Sequence, residues 1–160
     1  MKTVVVQFRL NGEDRAELIE AGATLLTTLR TNIGDFSPKA GCQQGTCGAC
    51  TVLIDGEVRL ACITLAEDCD DRHIQTAKCL ESDAGLHVLQ QAFIDCFATQ
   101  CGYCTPGMLI AAKALLDNNP NPSRNEVIDA IGGNVCRCTG YEPIIVAILQ
   151  AATVRLQRVT

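Results

Sequence analysis

Residues 41–50 read GCQQGTCGAC, and eleven residues then separate Cys50 from Cys62. A C-x4-C-x2-C run followed by a distant cysteine is the plant-type signature of a [2Fe–2S] cluster, so Cys42, Cys47, Cys50 and Cys62 form a first candidate ligand set. Gly41, Gly45 and Gly48 fit that reading, because a loop wrapped round inorganic sulfide needs residues whose backbone can approach closely and donate N–H groups. The gap to Cys62 is much shorter than in plant ferredoxins. A structural zinc knot is the alternative, although zinc sites favour paired knuckles and this set offers one knuckle, a four-residue gap and a far ligand.

The sequence around this loop reads as β-structure. Thr3 to Leu10 is a β-branched run, Asn11-Gly12 is a hairpin signal, and Arg15 to Ile19 returns antiparallel. Thr24 to Asn32 predicts a short helix with Leu25, Leu26 and Leu29 facing inward, stopped by Gly34. Thr51 to Ile54, the Asp55-Gly56 turn and Glu57 to Leu60 predict a second hairpin, and His73 to Thr76 one more short strand.

From about Leu80 the pattern becomes helical. Leu86, Leu89, Phe93 and Phe97 predict one apolar face over residues 86–97. Thr105-Pro106 predicts a helix start with threonine as cap, running to about Asp117. Ser123 and Glu126 have capping-box spacing for a third helix, ended by Gly132-Gly133. A fourth runs from about Pro143 to Leu156. The expected boundary therefore lies near residues 77 to 81, in an α+β architecture with a sheet half before an all-α half.

The helical half carries a second set: Cys101 and Cys104 in CGYC, then Cys136 and Cys138 in CRC. Alone it is ambiguous among a redox dithiol, part of a zinc site and a cluster loop. No alternating strand–helix pattern surrounds it, which disfavours the dithiol. Cys104 and Cys138 each precede a predicted helix start, where the positive end of the dipole favours thiolate. Gly102 lies inside the CGYC loop.

Composition narrows the function. Eleven cysteines are an odd number for a disulfide framework, and the N-terminal MKTVVVQFRL is too short and too polar for a membrane span or a secretory signal. A cytoplasmic setting with reduced thiols is expected. A net charge of −5 argues against a nucleic-acid surface, which needs an excess of Lys and Arg.

The stretches GCQQGTCGACTVLIDG, LACITLA, QCGYCTPGM and NVCRCTGY, taken in that order, closely resemble the small iron–sulfur subunit of the molybdenum hydroxylases, the xanthine oxidase family. The resemblance covers nearly the whole chain, and that family uses the short gap to Cys62. It implies a β-grasp, plant-ferredoxin-like domain at residues 1–78 followed by an all-α four-helix-bundle [2Fe–2S] domain at residues 79–160. It also implies two clusters that relay single electrons between a molybdopterin centre on a large subunit and FAD on a medium subunit. The cluster on Cys101, Cys104, Cys136 and Cys138 would lie nearer the molybdenum, with Gln100 and Cys138 contacting the pterin across the interface. A dimer of heterotrimers acting on a small heteroaromatic, aromatic or aldehyde-type compound is the implied assembly, with no substrate chemistry on this chain. A stand-alone two-cluster ferredoxin and a zinc-stapled interaction module are the rivals.

Other residues carry weaker expectations. Cys96 is expected to be a small buried side chain, and Cys69, within EDCDD, an exposed thiol on a solvated turn. No ligand motif includes Cys79, and His73 and His87 are isolated. Lys39 and Arg137 border the two sites, and Tyr103 and Met108 are expected to pack over the second one.

Overall fold

The computed structural model describes residues 2–82 and 85–157. Strands β1 (Thr3–Leu10) and β2 (Glu13–Glu20) form the expected hairpin, with Thr3 opposite Glu20 and Leu10 opposite Glu13. Asn11 (φ 51°) and Gly12 (φ 93°) both adopt the left-handed conformation that a two-residue hairpin turn requires. Along β1 the side chains of Val6, Phe8 and Leu10 are buried in alternation, which fixes the register against the core. Strands β3 (Thr51–Ile54) and β4 (Glu57–Leu60) make the second hairpin through Asp55-Gly56, and β5 is His73–Gln75. The sheet order is β2-β1-β5-β3-β4, with β1 and β5 parallel and the other pairings antiparallel. This mixed sheet, grasping one helical segment, is the expected β-grasp.

That segment begins as a turn of α-helix, α1 (Leu25–Thr27), capped by the Thr24 hydroxyl, and widens into a π-helical stretch over Thr28–Ile33. Gly34 (φ 78°) ends it by donating its N–H to the Leu29 carbonyl. Leu25, Leu26 and Leu29 point into the sheet core, where Cys50 and Cys62 are also buried.

The helical half comprises α2 (Val88–Asp95), α3 (Thr105–Asn118), α4 (Arg124–Ile131) and α5 (Glu142–Gln157). Their core gathers Leu89, Met108, Leu116, Ile131, Ile144 and Ile148, with Cys136 at its edge. The capping box at Ser123 and Glu126 forms as expected. Helix α3 lies against β3, and Leu53, Ile110 and Ala114 make a small buried seam between the halves.

Two helix boundaries depart from expectation, as does the approach to a third helix. Helix α2 is shorter than residues 86–97, starting after His87, whose ring Nδ1 accepts the Leu89 N–H in a capping box with Gln90. It ends in a Schellman motif, in which Ala98 donates to the Phe93 carbonyl and Phe97 to that of Ile94. Phe97 therefore takes the left-handed position (φ 53°) and turns out, 83% exposed, while Ala98 fills the core; Leu86 is exposed as well. Cys104, not Thr105, is the N-cap of α3, with Pro106 in the first turn, where no amide donor is needed. Helix α5 starts at Glu142, since Gly140 (φ 68°) and Tyr141 (φ 71°) interpose a left-handed turn after Cys138. Cys138 is thus not at a helix start, and the dipole argument applies to Cys104 alone.

Candidate iron–sulfur sites

The first loop runs from the π-helical segment into β3, and its chain path depends on missing side chains. An added Cβ at Gly41 would stand 2.7 Å from Cys47 Sγ, and one at Gly45, which has φ 82°, would stand 3.0 Å from Ile63 Cδ1. Within the loop, Gln44 and Thr46 aim their backbone N–H groups at Cys42 Sγ, at 3.5 and 3.3 Å. The Thr46 hydroxyl and these amides draw the Cys42 thiol down to about 5, so the sulfur is held as a thiolate. Cys50 and Cys62 are buried and hydrogen-bonded to each other, and Cys47 is near enough to act on Cys50 through its charge. Burial, followed by these neighbouring sulfurs, pushes the Cys50 thiol up to about 11.

In the second set, Gly102 (φ 79°) turns the CGYC loop, and the four sulfurs divide into two pairs. Cys101 and Cys138 are exposed, with their Sγ atoms 3.6 Å apart. Cys104 and the buried Cys136 form an inner, hydrogen-bonded pair. Burial and then Cys136 push the Cys104 thiol up to about 12, whereas Cys136 is drawn below its ordinary value. Burial opposes that lowering, but hydrogen bonds from Thr139, Cys138 and Cys104 outweigh it. Four such sulfurs held together repel once ionised, and a multiply charged cation relieves the repulsion while displacing the protons. Among the described residues, no group of three or more His, Cys, Asp or Glu side chains is placed to hold one metal ion. The residues present fit a dinuclear centre, in which two thiolates serve each iron.

The four cysteines of the second set line a hollow of about 170 Å³ together with Gly41, Cys47 and Ala49 of the first loop and with Tyr103, Val135 and Arg137. One space thus touches both sets. Larger hollows lie elsewhere; that of about 430 Å³ over β3 and β4 is walled by ion pairs such as Arg72–Asp55, whose charges already satisfy each other. The loops are also tied directly: Val135 donates its N–H to the Cys47 carbonyl at 2.9 Å, and Tyr103 Oη donates to the Ala40 carbonyl at 2.9 Å.

A model described as "2Fe-2S iron-sulfur cluster binding domain" matches residues 2–95, and one described as "[2Fe-2S] binding domain" matches residues 76–149. The chain is 44% identical over 151 residues to the nicotinate dehydrogenase small FeS subunit of Eubacterium barkeri, covering 94% of this chain and 96% of the relative. It is 45% identical over 148 residues to the nicotine 6-hydroxylase small subunit of Paenarthrobacter nicotinovorans, covering 92% and 89%. The chain belongs to the [2Fe–2S] small subunits of the molybdenum hydroxylase family. Among solved structures, a chain of quinoline 2-oxidoreductase from Pseudomonas putida 86 superposes with a TM-score of 0.93 at 40% identity, covering 98% of each chain. This small subunit is the non-catalytic, electron-transferring member of a multi-subunit oxidoreductase, and its two matched domains imply two [2Fe–2S] sites.

The remaining expected residues fall as follows. Gln100 is exposed beside Cys101. Arg137 is exposed at the cavity rim, but Lys39 turns away, its Nζ donating to the Phe36 carbonyl at 2.8 Å. Tyr103 lines the cavity, whereas Met108 is wholly inside the helical core and does not. Cys69 is buried rather than exposed, its thiol pushed up to about 11 first by burial and then by Asp68. The acids around it brace the sheet: Asp70 accepts the Gln7 N–H, and Glu67 accepts the Gly22 N–H. Cys96 is only half-buried, its Sγ 3.1 Å from Gln150 Oε1. Asn134 was not singled out from the sequence, although its place beside the CRC motif in NVCRC is a signal that the motif's own cysteines overshadow.

No helix among the described residues is long and apolar enough to cross a membrane.

Proposed function

We propose that Cys42, Cys47, Cys50 and Cys62 hold one [2Fe–2S] cluster and Cys101, Cys104, Cys136 and Cys138 the other, with the domain boundary at residues 78/79. The observation that carries this reading is the division of the second set into an outer and an inner sulfur pair, which would supply two thiolates to each of two irons. A bound cluster of this kind supplies one-electron oxidation and reduction at a potential set by its surroundings. The chain's own residues then set those surroundings. The Gln44 and Thr46 amides offset negative charge at Cys42, while Tyr103 and Val135 line the hollow beside the second set. Gly41, Gly45, Gly48 and Gly102 allow the loops to close on their contents.

We further assign the open rim at Cys101 and Cys138 to a large subunit carrying the molybdenum–pterin cofactor, with Gln100 and Cys138 as the residues that meet the pterin. A medium subunit carrying FAD would face the first loop, in a dimer of heterotrimers within the cytoplasm. The names of relatives that act on nicotinate, nicotine and quinoline favour an N-heteroaromatic substrate for the whole complex. Iron and acid-labile sulfide in the purified complex test the core of the reading, with about four of each expected per small subunit. Zinc in place of iron, or about two irons, would overturn it.

A further inference from the structure

Besides the Val135–Cys47 and Tyr103–Ala40 hydrogen bonds, the two cysteine loops are joined by a buried side chain. Asn134, 5% exposed, donates through Nδ2 to the Gly48 carbonyl at 2.9 Å and to Thr51 Oγ1 at 3.1 Å, and the Thr51 hydroxyl donates to the same Gly48 carbonyl at 2.6 Å. The fit around it is close. A Cβ on Gly107 would collide with the Gly48 carbonyl oxygen, and a Cβ on Gly48 would collide with Gly133 and Asn134. Each member of this cluster is within three residues of a cysteine: Gly48 follows Cys47, Thr51 follows Cys50, Gly107 lies in the first turn of α3 after Cys104, and Asn134 precedes Cys136.

We propose that Asn134 is a positioning residue that fixes the separation and orientation of the two cluster sites, and thereby the rate at which an electron passes between them. The proposal rests on the two-cluster reading. Buried polar side chains that bond to backbone groups across a seam hold one relative placement, because any slip leaves the Asn134 amide without its acceptors in a dry environment. The apolar seam of Leu53, Ile110 and Ala114 has no such directional preference and tolerates sliding. Since Asn134 and Gly48 are covalently close to ligand-bearing residues, a shift in their contact moves Cys136 relative to Cys47.

The test uses the assembled complex with Asn134→Ala, Thr51→Val and Gly107→Ala. Each variant is expected to retain about four irons per small subunit and both paramagnetic signals on reduction. The magnetic splitting that each reduced centre imposes on the other should change, and electron equilibration between them should slow severalfold in Asn134→Ala and less in Thr51→Val. Gly107→Ala, which pushes the loops apart rather than releasing them, should alter the splitting as well. Native splitting and rate in an Asn134→Ala complex with both signals present would overturn the proposal, since a residue that only adds stability would leave both unmoved. If Asn134→Ala fails to assemble, unchanged splitting in both other variants overturns it. An iron count near two in the unaltered complex overturns the underlying two-cluster reading, and the proposal with it.

Discussion

Cys101 and Cys138 are 37 positions apart in the chain, and their Sγ atoms stand 3.6 Å from each other. Two thiolates held at about 2.3 Å by one tetrahedral metal stand roughly 3.8 Å apart, so this pair is already spaced to share an ion. Cys138→Ser should therefore weaken or lose the second paramagnetic centre and leave the first unchanged, because no sulfur of the Cys42 set is replaced. Simultaneous loss of both signals in electron paramagnetic resonance would show that the sites assemble as one unit.

Gly41→Ala should act on the opposite site. The new methyl would stand 2.7 Å from Cys47 Sγ, closer than carbon and sulfur tolerate, so either the loop or the ligand must move. Iron should fall from about four towards about two per chain, with the second signal retained. Full iron content would show that the loop yields at little cost.

Gln100→Ala leaves every sulfur in place, and Gln100 itself is exposed. Both clusters should assemble, and reduction of the second centre by substrate in single-turnover stopped-flow should slow. Unaltered kinetics would remove Gln100 from the proposed pterin contact.

Phe97→Gly should stabilise the chain. A phenylalanine at φ 53° is strained, and its ring, 83% exposed, recovers little by burial. Glycine removes the strain at the cost of extra freedom in the unfolded chain, leaving a gain of about 1 kcal/mol. A rise in the urea midpoint checks this; a fall would mean that the ring makes a contact worth more than the strain.

The pairing of Arg124 with Glu142 ties the starts of α4 and α5. The guanidinium, chiefly through its hydrogen bonds, holds the Glu142 carboxyl below the usual carboxylate range, against a smaller opposing effect of burial. The unfolded chain then takes up this proton first as pH falls. The stabilisation is complete above the unfolded carboxylate's pKa and disappears as pH drops through the folded one. Urea midpoints of the native chain and Glu142→Gln should differ near neutrality and converge in acid. A constant difference would assign the effect to packing.

Much of this was legible in the sequence because it is local. Asn11-Gly12 and Asp55-Gly56 dictate hairpins through backbone geometry, Ser123 and Glu126 announce a cap, and the cysteine spacings mark out two candidate ligand sets before any contact is known. What was not legible depends on competition among neighbours. Phe97 and Ala98 both follow α2, and only the Schellman turn decides that the smaller goes inside. Acidic neighbours suggested that Cys69 faces water, yet Asp70 and Glu67 turn to distant backbone amides and leave the sulfur beneath them. The contact between Asn134 and Gly48 joins residues 86 positions apart, and although Asn134 stands beside the CRC motif, nothing in either segment names the other as its partner.

The sheet order also has a temporal meaning. The proposed ligands of the first site all lie between β1 and β5, so the ribosome has delivered a complete sheet and loop once residue 75 has emerged. The second set waits for Cys138, and the bond from the helical half to the Gly48 carbonyl waits for Asn134. Synthesis therefore yields one finished compartment well before the other, and the later half arrives as a clasp that closes upon it.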